Sequence, residues 1–176
     1  MFLYSEISHA AWKVLNKTGI LQAPLEVTLA QEDPHFRRPY DWLVSHMVAR
    51  GMTRPGPNVY PLWAWTTEQR LRECYAAYED EPARDPEGVL VEIEVPDDQV
   101  LLSDYMLWHC VLNGTNASDE DRALWPKLVF DLNWYDPYYH GDAAPDPQAT
   151  FWTLHLHQVR RTIDIKERPH GSPDHQ

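Results

Sequence analysis

The chain has 176 residues, 43% of them hydrophobic, and carries a net charge of −12. That is enough apolar material for one domain with a real core. The acidic balance argues against a stable nucleic-acid complex, because phosphates are held by Lys and Arg. No apolar run approaches the ~20 residues of a membrane span. The opening residues lack the basic start and long apolar run of a secretory leader, so a cytoplasmic location is expected. Two cysteines, Cys74 and Cys110, are too few for a disulfide scaffold or a zinc cluster, and both are expected as buried free thiols. Eight tryptophans and nine tyrosines exceed what a core of this size requires. Large aromatics also wall ligand pockets.

In chain order, "FLYSEI" predicts a strand over 2–7. Ser8 then caps a helix over 9–18, with Ala11, Trp12 and Leu15 as its apolar stripe and Gly19 as its stop. Asp33 and Pro34 can start a helical turn, but Pro39 is expected to interrupt it. From Tyr40, the residues Leu43, Val44, Met47 and Val48 keep helical spacing until Gly51. A turn-rich loop leads to a strand over 59–65. Thr66 and Gln69 have capping-box spacing and open a helix over 67–78. "VLVEIEV" alternates as a half-buried strand with Glu92 and Glu94 on one face, and "QVLL" is a short strand. Ser103 is read as the cap of the next helix, which Asn113 and Gly114 end. Ser118 caps a short helix that Pro126 should stop, and "KLVFDL" reads as a strand. Residues 133–147 form a long aromatic loop, and two strands, "ATFWTLHLH" and "VRRTIDI", complete the chain. Residues 1–165 read as a single domain and 166–176 as a flexible polar tail. Strands and helices mix without regular βαβ alternation. The fold class is α+β, a mostly antiparallel sheet with several packed helices.

The chemistry-bearing patterns are sparse. His155 and His157 share a predicted strand face, and His140 or Asp142 could join them on zinc. With no helical His pair and no calcium-type acidic loop, no metal is expected. Gly-rich phosphate cradles and a nucleophile elbow are missing from the sequence. Glu92 and Glu94 could hold one raised pKa if buried. Trp63 and Trp65 project to one strand face and Leu62 and Ala64 to the other. The tryptophan face meets either the core or a cleft wide enough to stack a flat ring.

The segments "LYSEIS", "TGIL", "YPLWAW", "GVLVEIEVPDDQVLLSDYMLWHCVLN" and "QATFWTLHL" resemble a family of uncharacterised bacterial proteins over most of residues 2–165. More distantly, "FLYSEI", the 9–18 helix, "TGIL" and "YPLWAWTT" resemble the opening of ADP-ribosyltransferase-like domains. That resemblance implies an ADP-ribosyltransferase-like fold with NAD bound between the first two strands. Tyr4 and Ser5 would contact the ribose or amide, and Tyr60, Trp63 and Trp65 would stack the nicotinamide. Arg70 or Arg72 would meet the pyrophosphate. Gln148 stands where those domains carry a catalytic Glu, and its amide keeps a hydrogen bond while losing the charge. Glu92 or Glu94 could replace that charge. Two alternatives are a non-enzymatic module holding a nucleotide or other planar ligand, and an acidic interaction protein of the antitoxin type that neutralises a basic partner.

Overall fold

The first 20 residues fold as their local signals dictate. β1 (Phe2–Ile7) runs into α1 (His9–Thr18). The Ser8 hydroxyl accepts from the Ala11 N–H, and Gly19 closes the helix in the left-handed region at φ 78°. The computed structural model describes residues 1–28, 34–77, 85–114, 118–142 and 144–164. The tail expected from Lys166 therefore lies outside the described residues.

The remaining strands are β2 (Ile20–Leu21), β3 (Ala23–Pro24), β4 (Val59–Tyr60), β5 (Leu62–Trp65), β6 (Val89–Glu94), β7 (Leu101–Asp104), β8 (Pro147–Phe151), β9 (Leu154–His155) and β10 (Val159–Thr162). The remaining helices are α2 (Pro34–Ala49), α3 (Glu68–Ala77), α4 (Tyr105–Leu112), α5 (Asp119–Phe130) and α6 (Pro137–His140). Six strands form one sheet in the order β10-β6-β1-β5-β8-β7, and every pairing in it is antiparallel. The expected α+β class with an antiparallel sheet is what the chain adopts. No described helix is long and apolar enough to cross a membrane.

Strand alternation divides the core between the two faces of the sheet. Leu3, Ile7, Val91, Ile93, Ala149 and Phe151 pack on one face with Leu15 of α1. On the other face, Leu101 and Trp63 meet Tyr40, Leu43 and Met47 of α2, Trp108 of α4, and Leu128 and Val129 of α5. A smaller cluster of Leu71, Leu90 and Ile163 sits under α3.

Several local expectations are corrected. The strand expected over 59–65 is broken at Pro61 into β4 and β5. Pro39 and Pro126 lie inside α2 and α5 and do not stop them. An internal proline costs a helix ~3 kcal/mol, and burial outweighs it here. Leu43, Met47, Leu128 and Val129 are each at most 2% exposed. "KLVFDL" is consequently the end of a helix rather than a strand. Ser103 belongs to β7, and Asp104 caps α4 in its place, accepting from the Leu107 N–H at 2.9 Å. Thr67, not Thr66, caps α3, since its hydroxyl accepts from the Arg70 N–H at 3.2 Å. The loop over 133–147 contains α6, started by the Asp136 carboxylate and Pro137. Of the two last predicted strands, the first ends at Phe151 and resumes as β9, and a 3-10 turn over Leu156–Gln158 separates it from β10. Neither cysteine is in a disulfide, and both are half-buried rather than buried.

Candidate functional site

Directly opposed residues of antiparallel strands point to the same face. The registers therefore lay one row across the sheet: Arg161, Glu92, Tyr4, Trp65, Gln148 and Ser103. Trp63, opposite Thr150, stands beside Trp65 on that face. Sequence spacing placed both indoles on one face, and the row adds Gln148 as the direct neighbour of Trp65.

β1 and β5 are in register only at Tyr4 and Trp65. Beyond that point the Ser5 hydroxyl donates to the Trp63 carbonyl at 2.9 Å, so a side chain takes the place of a backbone rung. The sheet opens at this junction. A cavity of about 360 Å³ lies on the tryptophan side, and a second of about 320 Å³ adjoins it. Both are bordered by Ser5, Glu6, Tyr40 and Trp63.

The larger cavity is walled by aromatics. Trp63 lies 5.4 Å from Trp108 and 6.3 Å from Tyr40, the latter edge-on. Trp65 lies 5.0 Å from Tyr105, whose ring in turn sits tilted against His109, 4.1 Å between centroids. These α4 side chains are aimed by the cap. The Asp104 carboxylate, 3% exposed, accepts from Leu107 N–H and from Asp146 N–H at 3.0 Å. Helix α4 is thereby tied to the segment that leads into β8.

Polar groups in this cavity are few. Gln148 lines it, is 5% exposed, and its amide nitrogen has no hydrogen-bond partner. The hydroxyl of Ser103, next in the row and fully buried, also has none. Unpaired buried polar atoms of this kind cost ~1–3 kcal/mol each, and a ligand or an ordered water in the cavity could complete their bonding. Glu6 is the one acidic residue among the cavity's lining residues. Gly88 makes room for it, since a Cβ there would stand 2.9 Å from Glu6 Oε1. Cys74 also lines the cavity. Burial pushes its thiol up, which Arg70 opposes only in part, so it is protonated and weakly nucleophilic at neutral pH.

The other residues singled out in the sequence take up separate places. Tyr4 is in the row but packs with the cluster under α3, and burial and the neighbouring Glu92 raise its hydroxyl's pKa. Tyr60, cut off from β5 by Pro61, is fully buried and donates to the Asp41 carboxylate at 2.7 Å. It does not line the cavity. Arg70 lies over Trp65 at 4.8 Å and over Tyr105 at 5.5 Å, and Asp146 holds its guanidinium at 2.6 Å. Arg72 pairs with Glu68 at 2.7 Å and donates to the Asp164 carbonyl. Glu92 is paired with Arg161 at 2.9 Å and Glu94 with Arg160 at 2.7 Å. Neither glutamate lines the cavity. His155 ends β9 and His157 lies in the 3-10 turn after it, their rings 5.4 Å apart. Among the described residues, no three His, Cys, Asp or Glu side chains gather as a metal site would require.

Several lining residues were not marked as site candidates in the sequence, among them Glu6, Tyr40, Tyr75, Tyr105, Trp108 and His109. For the three on α4 the signal was present. Tyr105, Trp108 and His109 recur at i, i+3 and i+4, which puts three rings on one side of a helix.

Comparison with known proteins fits the walls of this cavity into a family. Residues 2–127 match a domain of unknown function, DUF3841. The chain belongs to that family. No curated protein and no solved structure matches it. The DUF3841 match takes in β1, β5, α3 and α4, and so Ser5, Glu6, Trp63, Trp65, Tyr105 and Trp108. It ends before β8, which supplies Gln148.

Proposed function

We propose that the opening between β1, β5 and α4 is an ADP-ribosyltransferase-like cleft that takes the flat base of NAD or a related nucleotide. Transfer chemistry in it is slow. The observation that carries this reading is the unpartnered, 5%-exposed Gln148 amide among the aromatic walls of a 360 Å³ cavity. A pyridinium ring is flat and cationic. Aromatic faces attract it, and Glu6 supplies the one negative charge on the lining. Trp63 and Trp65 would hold the ring. Gln148, with Ser103 behind it, would bond a carboxamide or ribose hydroxyl, and Ser5 would mark the entry. Arg70 would meet a pyrophosphate by exchanging Asp146 for it.

Gln148 offers no charge to an oxocarbenium-like transition state, and such a missing electrostatic contribution costs ~3 kcal/mol or more of barrier. That feature favours a second reading, in which the cleft binds its ligand without turnover. Calorimetric titration with NAD, nicotinamide and ADP-ribose, followed by chromatography for released nicotinamide, separates the two. The transferase reading predicts saturable binding of NAD with slow release, weakened at least ~10-fold by Trp65→Ala. Binding without release supports the module. No heat with NAD or its fragments contradicts both readings.

A further inference from the structure

The second cavity, of about 320 Å³, has no part in the reading above. It meets the aromatic cleft at Ser5, Glu6, Tyr40 and Trp63, where β1 and β5 have parted. Its own walls are of a different kind. Ile7 of β1, Ala11 of α1, Leu21 of β2, Leu62 of β5 and Leu154 of β9 make them mainly aliphatic. All five belong to, or pack against, the core cluster under α1.

The polar groups of this lining are few and of one type. Among the described lining residues there is no Lys, Arg or His, and only Glu6 carries a charge. Beyond the four residues shared with the cleft, the polar side chains are two hydroxyls, Ser8 and Thr28. The Ser8 hydroxyl accepts from the Ala11 N–H at 3.3 Å, which leaves its own proton to donate. The Thr28 hydroxyl, on a residue 8% exposed, donates to the Leu25 carbonyl at 2.8 Å, which leaves its oxygen to accept.

We propose that this cavity is a binding site for a small neutral aliphatic alcohol. Aliphatic walls gain dispersion contacts from an alkyl guest and release the water beside them. They offer no pair of aromatic faces between which a flat ring would stack. A carboxylate would meet Glu6 and find no cation to pair with. An ammonium would have to leave water for a carboxylate that is itself exposed, and such a pair returns little. A ligand hydroxyl both donates and accepts, so it suits either Ser8 or Thr28. The assignment does not depend on what fills the cleft.

The test titrates the straight-chain alcohols from butan-1-ol to heptan-1-ol into ¹⁵N-labelled protein with no NAD present. It follows the Trp63 Nε1–H signal, assigned by its loss in Trp63→Phe. Each alcohol is expected to shift that signal saturably, with affinity rising about 4-fold per added CH₂. A shift that stays linear, or an affinity indifferent to chain length, overturns the proposal. Hexanoate and hexylamine probe the head group. Either one binding as tightly as hexan-1-ol overturns the neutral class. Two variants then place the guest. Ala11→Phe puts a ring into the cavity and should abolish hexan-1-ol binding. Cys74→Phe puts one into the cleft alone and should leave that binding unchanged. Binding that survives Ala11→Phe, or is lost in Cys74→Phe, refutes the site. If Ala11→Phe fails to fold, Ala23→Phe, at a half-buried position on the same lining, decides in its place.

Discussion

One row of side chains crosses the tryptophan side of the sheet, and its two halves behave oppositely. On the β10–β6 side of Tyr4 every charge is matched. Arg161 bonds both Glu92 and Glu68, and Glu68 also holds Arg72. On the β5–β8–β7 side the row turns aromatic and then to Gln148 and Ser103, whose amide nitrogen and hydroxyl, respectively, have no partner. The same sheet face thus carries a finished network and an unfinished one. A finished network holds strands in register. An unfinished one leaves polar atoms that a ligand or an ordered water can complete. That contrast, rather than cavity size, is the ground on which the cleft is proposed as a binding site.

The largest effect that sharpens this contrast should come from the cleft's back wall. Trp108 is 2% exposed and touches Tyr40, Trp42 and Trp63. Trp108→Ala should cost about 3–5 kcal/mol in denaturant unfolding. Trp65→Ala, at a half-buried position, should cost less and act mainly on ligand binding.

Next comes the paired half. Burial pushes the Glu68 carboxyl up, but Arg161 and Arg72 outweigh it and hold it below its ordinary 4.5. A carboxyl depressed in the folded state binds fewer protons there than when unfolded. Its contribution is therefore present above pH 4.5 and lost as pH falls through the folded value. Glu68→Gln should cost about 1 kcal/mol at pH 7 and flatten the acid limb of the stability curve.

Smaller still is the unpaired half. Gln148→Leu replaces an unsatisfied amide with an apolar side chain of similar size. It should change stability by less than about 1 kcal/mol, towards stabilisation, while ligand binding is lost. A substantial destabilisation would mean that Gln148 is bonded after all and would erase the contrast. The smallest signal is chemical. The Cys74 thiol, raised by burial, should alkylate slowly near pH 8, and more slowly again once the cleft is filled.

The opening strand and helix were legible because their signals are local: a capping serine, an apolar stripe and a left-handed glycine. The start of α5 at Ser118 was legible too, but its end was not, because Pro126 is a strong local stop signal and the burial of Leu128 and Val129 that overrides it is tertiary. The shared face of Trp63 and Trp65 followed from strand periodicity alone. The place of Gln148 beside Trp65 depends on register between strands about eighty residues apart, which periodicity does not carry. The cap of α4 was misread by one residue, Ser103 for Asp104. Serine and aspartate are both good caps, and only the extension of β7 to residue 104 separates them.

The most direct measurement follows the side-chain amide of Gln148 by ¹⁵N NMR during titration with NAD, alongside the indole signals of Trp63 and Trp65. The cleft reading predicts that all three shift saturably with one dissociation constant, as the orphaned amide gains a partner between stacked rings. If the amide stays fixed while NAD is in large excess, or the indoles move without it, the row's unfinished half is packing and not a binding site.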